Sequence, residues 1–263
     1  MKTKVLFAAM MLMAGVKIAH AGIEDFQIGS YTYTDAFLET NDGNRNTVLI
    51  KHCNNVQSQM VLPRYVTYNG ITYKVMGVDN TVFCEDKTIK SLTIPNDYCL
   101  KKGAFAYSKN LEEIILGDSI ELIDGCFGAC PSIQKVYFTG KFYSIRKDSF
   151  VWLEESTIQR GFYIISSVPP MVLRDRELNE SVYKQVTLFV PTNAVGKYKA
   201  DSFWGKFKIR GWDANAFMKN QVKREWSHSM LLNFDYVCDF FRILLLNIVG
   251  EQGTIWTNIK SKK

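Results

Sequence analysis

Phe83, Phe105, Phe127 and Phe150 stand 22, 22 and 23 residues apart, and further apolar columns keep the same step. Ile89, Leu111 and Ile133 form one column, Leu92, Ile114 and Val136 a second, Ile94, Leu116 and Phe138 a third. A unit this short cannot bury an apolar face alone, so successive copies must stack and share one elongated core. Residues 91–94, 113–116 and 135–138 alternate apolar with other residues, which predicts short strands buried on one face. Turn formers follow each strand at matching places: Pro95-Asn96-Asp97, Gly117-Asp118-Ser119 and Thr139-Gly140-Lys141. The rest of each coil is a return limb carrying the phenylalanine, with Val78, Leu100, Leu122 and Ile145 on its inner side. The fold class expected is a repeat solenoid, mainly β, in which function resides on a surface.

The segments outside the repeats read differently. Residues 1–21 have a basic start (Lys2, Lys4), an apolar run from Val5 to Val16 and Ala19-His20-Ala21 before Gly22, the pattern of a secretory leader. Export is therefore expected, to the cell surface or the medium, with the periplasm the alternative. Without those residues 29 basic side chains face 26 acidic ones, and the excess of three lies in the tail after Asp213. The repeats carry no basic stripe, so nucleic acid is not an expected partner. Residues 22–77 are rich in β formers and include Asn69-Gly70 between alternating runs, a strong hairpin signal. They are read as an N-terminal β cap on repeats spanning 78–165. Asn41-Asp42-Gly43-Asn44 lacks the glutamate of a calcium-binding EF-hand loop and reads as a plain turn. Six cysteines are too sparse in so long a chain for a disulfide scaffold. Cys126 falls in the column of Ala104 and Ser149, and Cys130 matches Ser108, so both read as buried thiols; a bridge or a zinc site is the alternative.

The pattern I-x-x-L-x-x-I-x-L, a turn, then a small residue and phenylalanine resembles the BspA-type leucine-rich repeat of bacterial surface proteins. It is carried by Ile89 to Ile94, Gly103-Ala104-Phe105, Leu111 to Leu116, Gly125-Cys126-Phe127 and Ile133 to Phe138. The pattern loosens after Asp148-Ser149-Phe150, where Trp152 to Arg160 interrupts before the strand-like stretch from Gly161 to Ile165. Ser167-Val168-Pro169-Pro170, Thr187 to Pro191 and Tyr198-Lys199-Ala200 resemble the closing segment of that family. Physically, 166–213 is a strand stopped by Pro191, a cap offered by Thr192 and Asn193, and a short helix, with Trp204 and Phe207 covering the open end. The expected architecture is thus a leucine-rich repeat solenoid with an N-terminal β cap and a C-terminal strand-helix cap. In residues 214–263, Met230, Phe234, Val237, Phe241, Leu244 and Ile248 recur at helical spacing, an amphipathic helix outside the family pattern.

No motif of nucleophilic, nucleotide or metal chemistry is present, and the adjacent pairs Glu112-Glu113 and Glu154-Glu155 read as solvated surface. No enzyme, cofactor or metal is expected. The outward strand positions Ser91, Thr93, Glu113, Ile115, Lys135 and Tyr137 are the candidate binding surface for a protein or glycan ligand, with plain solvated strand residues the competing reading at each. The family resemblance implies adhesion, including to host matrix proteins. The competing function is that of an accessory envelope protein whose tail associates with a membrane or a partner.

Overall fold

The computed structural model describes residues 23–36, 46–152, 158–173 and 177–217. The expected leader, the Asn41-Asp42-Gly43-Asn44 turn, Cys238 and the expected helix from Met230 to Val249 lie outside the described residues. In chain order the strands are β1 (Phe26–Ile28), β2 (Tyr31–Asp35), β3 (Thr47–Cys53), β4 (Gln59–Val61), β5 (Tyr65–Tyr68), β6 (Ile71–Val78), β7 (Ser91–Ile94) and β8 (Cys99–Leu100). They continue as β9 (Glu113–Leu116), β10 (Ile120–Leu122), β11 (Lys135–Phe138), β12 (Phe142–Ile145), β13 (Arg160–Ile164), β14 (Met171–Leu173), β15 (Val186–Pro191) and β16 (Lys208–Trp212).

Every coil runs the same way round, so neighbouring coils can pair only in parallel, and each contributes one strand to each of two sheets. The first sheet has the order β16-β15-β13-β11-β9-β7-β4, parallel throughout. The strands expected from the alternation are β7, β9 and β11, and Leu92, Ile114 and Val136 are Cα partners, so register follows the repeat. The second sheet joins the expected β5–β6 hairpin to the return limbs β8, β10 and β12, for which the sequence suggested no strand. There β3, β6, β8, β10, β12 and β14 pair in parallel, β2 and β1 add antiparallel, and β5 pairs with β6. Val78, Leu100, Leu122 and Ile145 lie along this ladder and are buried. In the β5–β6 hairpin Asn69 and Gly70 both take positive φ, 49° and 77°, as a two-residue turn compatible with strand twist requires.

The phenylalanines stack between the sheets. Ring centroids are 4.8 Å apart for Phe83 and Phe105, 5.6 Å for Phe105 and Phe127, and 5.4 Å for Phe127 and Phe150. Phe150 passes the contact to Phe162 at 5.3 Å, and Phe162 to Phe207 at 5.7 Å. The small residue before each phenylalanine has a backbone reason: the N–H of Phe83, Phe105 and Phe127 donates to the carbonyl of Ala104, Cys126 and Ser149 in the next coil. Those three side chains are fully buried, which leaves no room for a larger group. The residue three after the phenylalanine donates backwards, Ser108 Oγ to Phe83 O and Cys130 Sγ to Phe105 O, both at 3.1 Å. Cys126 and Cys130 are buried thiols without a bridge.

At the far end Trp204 is buried edge-on against Phe138 at 5.4 Å, and its Nε1 donates to Pro170 O at 2.8 Å. Arg160, also buried, donates to Pro131 O and Gln185 Oε1 and lies over the Trp152 ring at 4.6 Å. That contact ties the last coil to helix α1 (Glu180–Gln185), which the sequence reading did not foresee. One expectation is corrected here. Helix α2 (Val195–Ala200) has Ala194 at its N-cap and no side-chain cap, because Thr192 Oγ1 instead donates to Trp212 O at 3.5 Å. The unforeseen strand β16 pairs along β15 up to Pro191 and claims that hydroxyl.

Phe127, stacked on both sides, is the most exacting position of the spine. Phe127→Ala is expected to cost about 3–5 kcal/mol in equilibrium denaturation, through lost burial and the cavity left behind. Burial also raises both buried thiols, Cys130 from 9.0 to about 12. An unfolded thiol ionises at its ordinary value, so this contribution is complete below pH 9 and is lost as pH rises towards 12. The denaturation midpoint is expected to fall in that window, and Cys130→Ser to flatten the fall.

Candidate recognition surface

Alternation along the seven-stranded sheet sends Leu92, Ile94 and their equivalents inward and leaves two rows on the outer face. One row is mostly polar: Gln59, Ser91, Glu113, Lys135, Gly161, Thr187 and Lys208 are successive Cα partners. In the other, Val61 and Thr93 are followed by Ile115, Tyr137, Tyr163 and Phe189, with Arg210 at the edge. All six sequence-predicted positions therefore lie on this face, in two adjacent rows. Lys135 is exposed, and Ser91, Thr93 and Glu113 are half-buried.

Ile115 and Tyr137 are corrected as exposed contact residues, for they keep only 6% and 7% of their accessible surface. The Tyr137 ring stacks on Tyr163 at 5.0 Å on one side and on Phe217 at 4.1 Å on another, with Trp212 tilted at 6.2 Å. Tyr163 in turn stacks on Phe189 at 4.6 Å and meets the Trp212 edge at 5.1 Å. Trp212 is anchored by its Nε1, which donates to Ile164 O at 3.1 Å. Asp213 Oδ1 then accepts from the N–H groups of Asn215 at 3.0 Å and Ala216 at 3.2 Å, which turns the chain back over the sheet. Gly161 makes room for this cluster, since a Cβ there would stand 2.5 Å from Tyr163 Cε2. Partial burial raises the Tyr163 phenol above its ordinary value.

The outer face is thus divided. Its β4–β7 side is open, with Val61 48% exposed at the edge, while its β11–β13–β15 side carries a layer of aromatic rings, and between them β9 presents half-buried Glu113 and buried Ile115. Sequence reasoning missed Tyr163, Phe189, Trp212 and Phe217. The first two could have been found, because Tyr137, Tyr163 and Phe189 continue the column at steps of 26 residues where the earlier coils step by 22. Trp212 and Phe217 follow no column at all.

Glu113 and Lys135 face each other across β9 and β11, and the exposed Lys208 and Arg210 make the β16 edge basic. Among the described residues no group of three or more His, Cys, Asp or Glu is placed to hold a metal ion. Among them, too, no helix is long and apolar enough to cross a membrane. The surface can offer shape, hydrogen bonds and apolar contact, the means of binding.

Residues 70–167 match the BspA type leucine rich repeat region in six copies. The mainly β, two-strand coil described above is that leucine-rich repeat fold. No curated protein matches the chain. Among solved structures it is similar to a leucine-rich repeat protein from Bacteroides capillosus, at 21% identity and a TM-score of 0.34, over 44% of this chain and 82% of that one. It is also similar to a leucine rich cell surface protein from Faecalibacterium prausnitzii, at 15% identity and a TM-score of 0.33, over 66% of this chain and 53% of that one.

The aromatic layer generates its own test at Gly161. Gly161→Ala is expected to destabilise by about 1–3 kcal/mol, since the Tyr163 ring must move. Combined with Tyr163→Ala, the second substitution should add less than it does alone, and a double-mutant cycle by chemical denaturation reads that coupling.

Proposed function

We propose that this BspA-type repeat solenoid is an exported, non-enzymatic recognition protein that holds a protein partner against the outer face of its seven-stranded sheet. The observation that carries the reading is the continuous register of that face: side chains from seven successive strands stand in straight rows on a backbone fixed from within by the core. A surface ordered before binding loses little conformational entropy on contact, so modest polar and apolar contacts yield net affinity. Gln59, Ser91, Thr93, Glu113 and Lys135 supply donors, acceptors and both signs of charge on its open part, and Val61 supplies apolar area. The leader-like residues 1–21 support export, and the BspA resemblance supports adhesion at a cell surface, with host matrix proteins among the partners.

The test is retention on immobilised matrix proteins, with glycan arrays in parallel. The full chain carrying Lys135→Glu together with Thr93→Arg should lose retention by about tenfold, equivalent to about 1.4 kcal/mol, with an unchanged melting temperature. Equal retention by the variant removes these residues from the surface; retention on glycans alone replaces the protein partner by a carbohydrate. On intact cells, externally added protease should cleave the protein, and full protection would place it away from the surface.

A further inference from the structure

We propose that the outer edge of β4 docks an extended polypeptide segment of the protein partner, which adds a strand to the seven-stranded sheet. This rests on the recognition reading above and supplies the chemical form of the partner. β4 ends that sheet, and among the described residues no strand pairs with its other edge. In a parallel ladder alternate residues turn their N–H and C=O groups to opposite sides. Ser58 O accepts from the Ser91 N–H and the Leu62 N–H donates to Thr93 O, both at 3.0 Å, so Ser58, Met60 and Leu62 serve β7. Gln59 and Val61 therefore direct two N–H and two C=O groups away from the sheet. Both residues are exposed, while Met60 between them is buried and holds the strand to the core.

The other sheet ends each carry a feature that deters a further strand. β16 presents the exposed charges of Lys208 and Arg210. β14 is entered through Pro170, which has no N–H and whose carbonyl already accepts from Trp204 Nε1 at 2.8 Å. β1 leans on β5, with Phe26 stacked on Tyr68 at 4.3 Å. β4 has none of these, since Gln59, Met60 and Val61 are uncharged and none is proline. Groups two residues apart along a strand recur at about 6.6 Å. An extended peptide repeats its own donors and acceptors at that interval, whereas sugar hydroxyls follow ring geometry, so the edge favours a polypeptide. The added strand would also prolong both outer rows, with an apolar residue beside Val61 and a polar one beside Gln59.

Main-chain docking tolerates many sequences, so the probe is an acetylated, amidated peptide of alternating threonine and valine, titrated to millimolar concentration against the full chain. Nuclear magnetic resonance should show the Gln59 and Val61 amide signals shifting and their hydrogen exchange slowing. Val61→Pro removes an outward donor and no bond to β7, so it should weaken binding at least about tenfold with an unchanged melting temperature. A second measurement needs no variant: of two peptides N-methylated along opposite edges, one should lose binding and the other keep it. Unmoved Gln59 and Val61 signals overturn the proposal, as does equal binding by the two methylated peptides or by Val61→Pro. Dimerisation of the chain alone, abolished by Val61→Pro and without peptide binding, overturns it too by assigning the edge to a second copy. Retention on matrix proteins without peptide docking leaves the recognition reading standing and removes this one; peptide docking without that retention does the reverse.

Discussion

The stack of Phe83, Phe105, Phe127 and Phe150 is the contact on which the rest of the structure depends. Successive ring planes diverge by 10°, 22° and 14°, with centroids 4.8–5.6 Å apart. That separation is close to the ~4.8 Å at which strands pair. Ring stacking and the two backbone ladders therefore ask for nearly the same advance per coil, and neither strains the other. Each fully buried ring contributes on the order of 1.5–3 kcal/mol by removal from water, and the ladders satisfy the peptide groups that the same burial would otherwise leave unpaired.

Corners are where a coil of this kind is at risk, because every turn strands carbonyls and N–H groups outside a ladder. Here side chains meet them from the neighbouring coil. Asn96 Oδ1 accepts from the Asp118 N–H at 2.8 Å, and Asp118 Oδ1 accepts from Lys141 N–H at 2.6 Å and Phe142 N–H at 3.0 Å. At the phenylalanine corner Ser108 and Cys130 do the complementary work of donating to carbonyls. A serine and a cysteine are interchangeable at that position because both place one small donor in a buried site. Cys126 and Cys130 are thus accounted for by packing and hydrogen bonding.

Inside the solenoid the rules are periodic; on the outer face they are not. Ser91, Thr93, Glu113 and Lys135 were legible as outward residues because alternation along a strand assigns sides. For Ile115 and Tyr137 alternation gave the correct side and the wrong exposure. The covering rings of Trp212 and Phe217 come from about 75–80 residues away, beyond any local pattern. The short strands β8, β10 and β14 were illegible for another reason, as two or three residues are too few to display a period of two. Thr192 shows the same limit on a smaller scale, since its hydroxyl was drawn from helix capping by a strand that the sequence did not announce.

What the amino-acid sequence determined by itself is the coil: its length, its strands at 91–94, 113–116 and 135–138, its inward columns and its aromatic spine. These are contacts between a residue and its counterpart one repeat away, so the same requirement recurs and leaves a visible rhythm. What only the tertiary structure decided is which part of the outer face meets solvent. That depends on where a single, non-repeating segment turns at Asp213 and which ring it sets on Tyr137, a contact made once and therefore without a period to betray it.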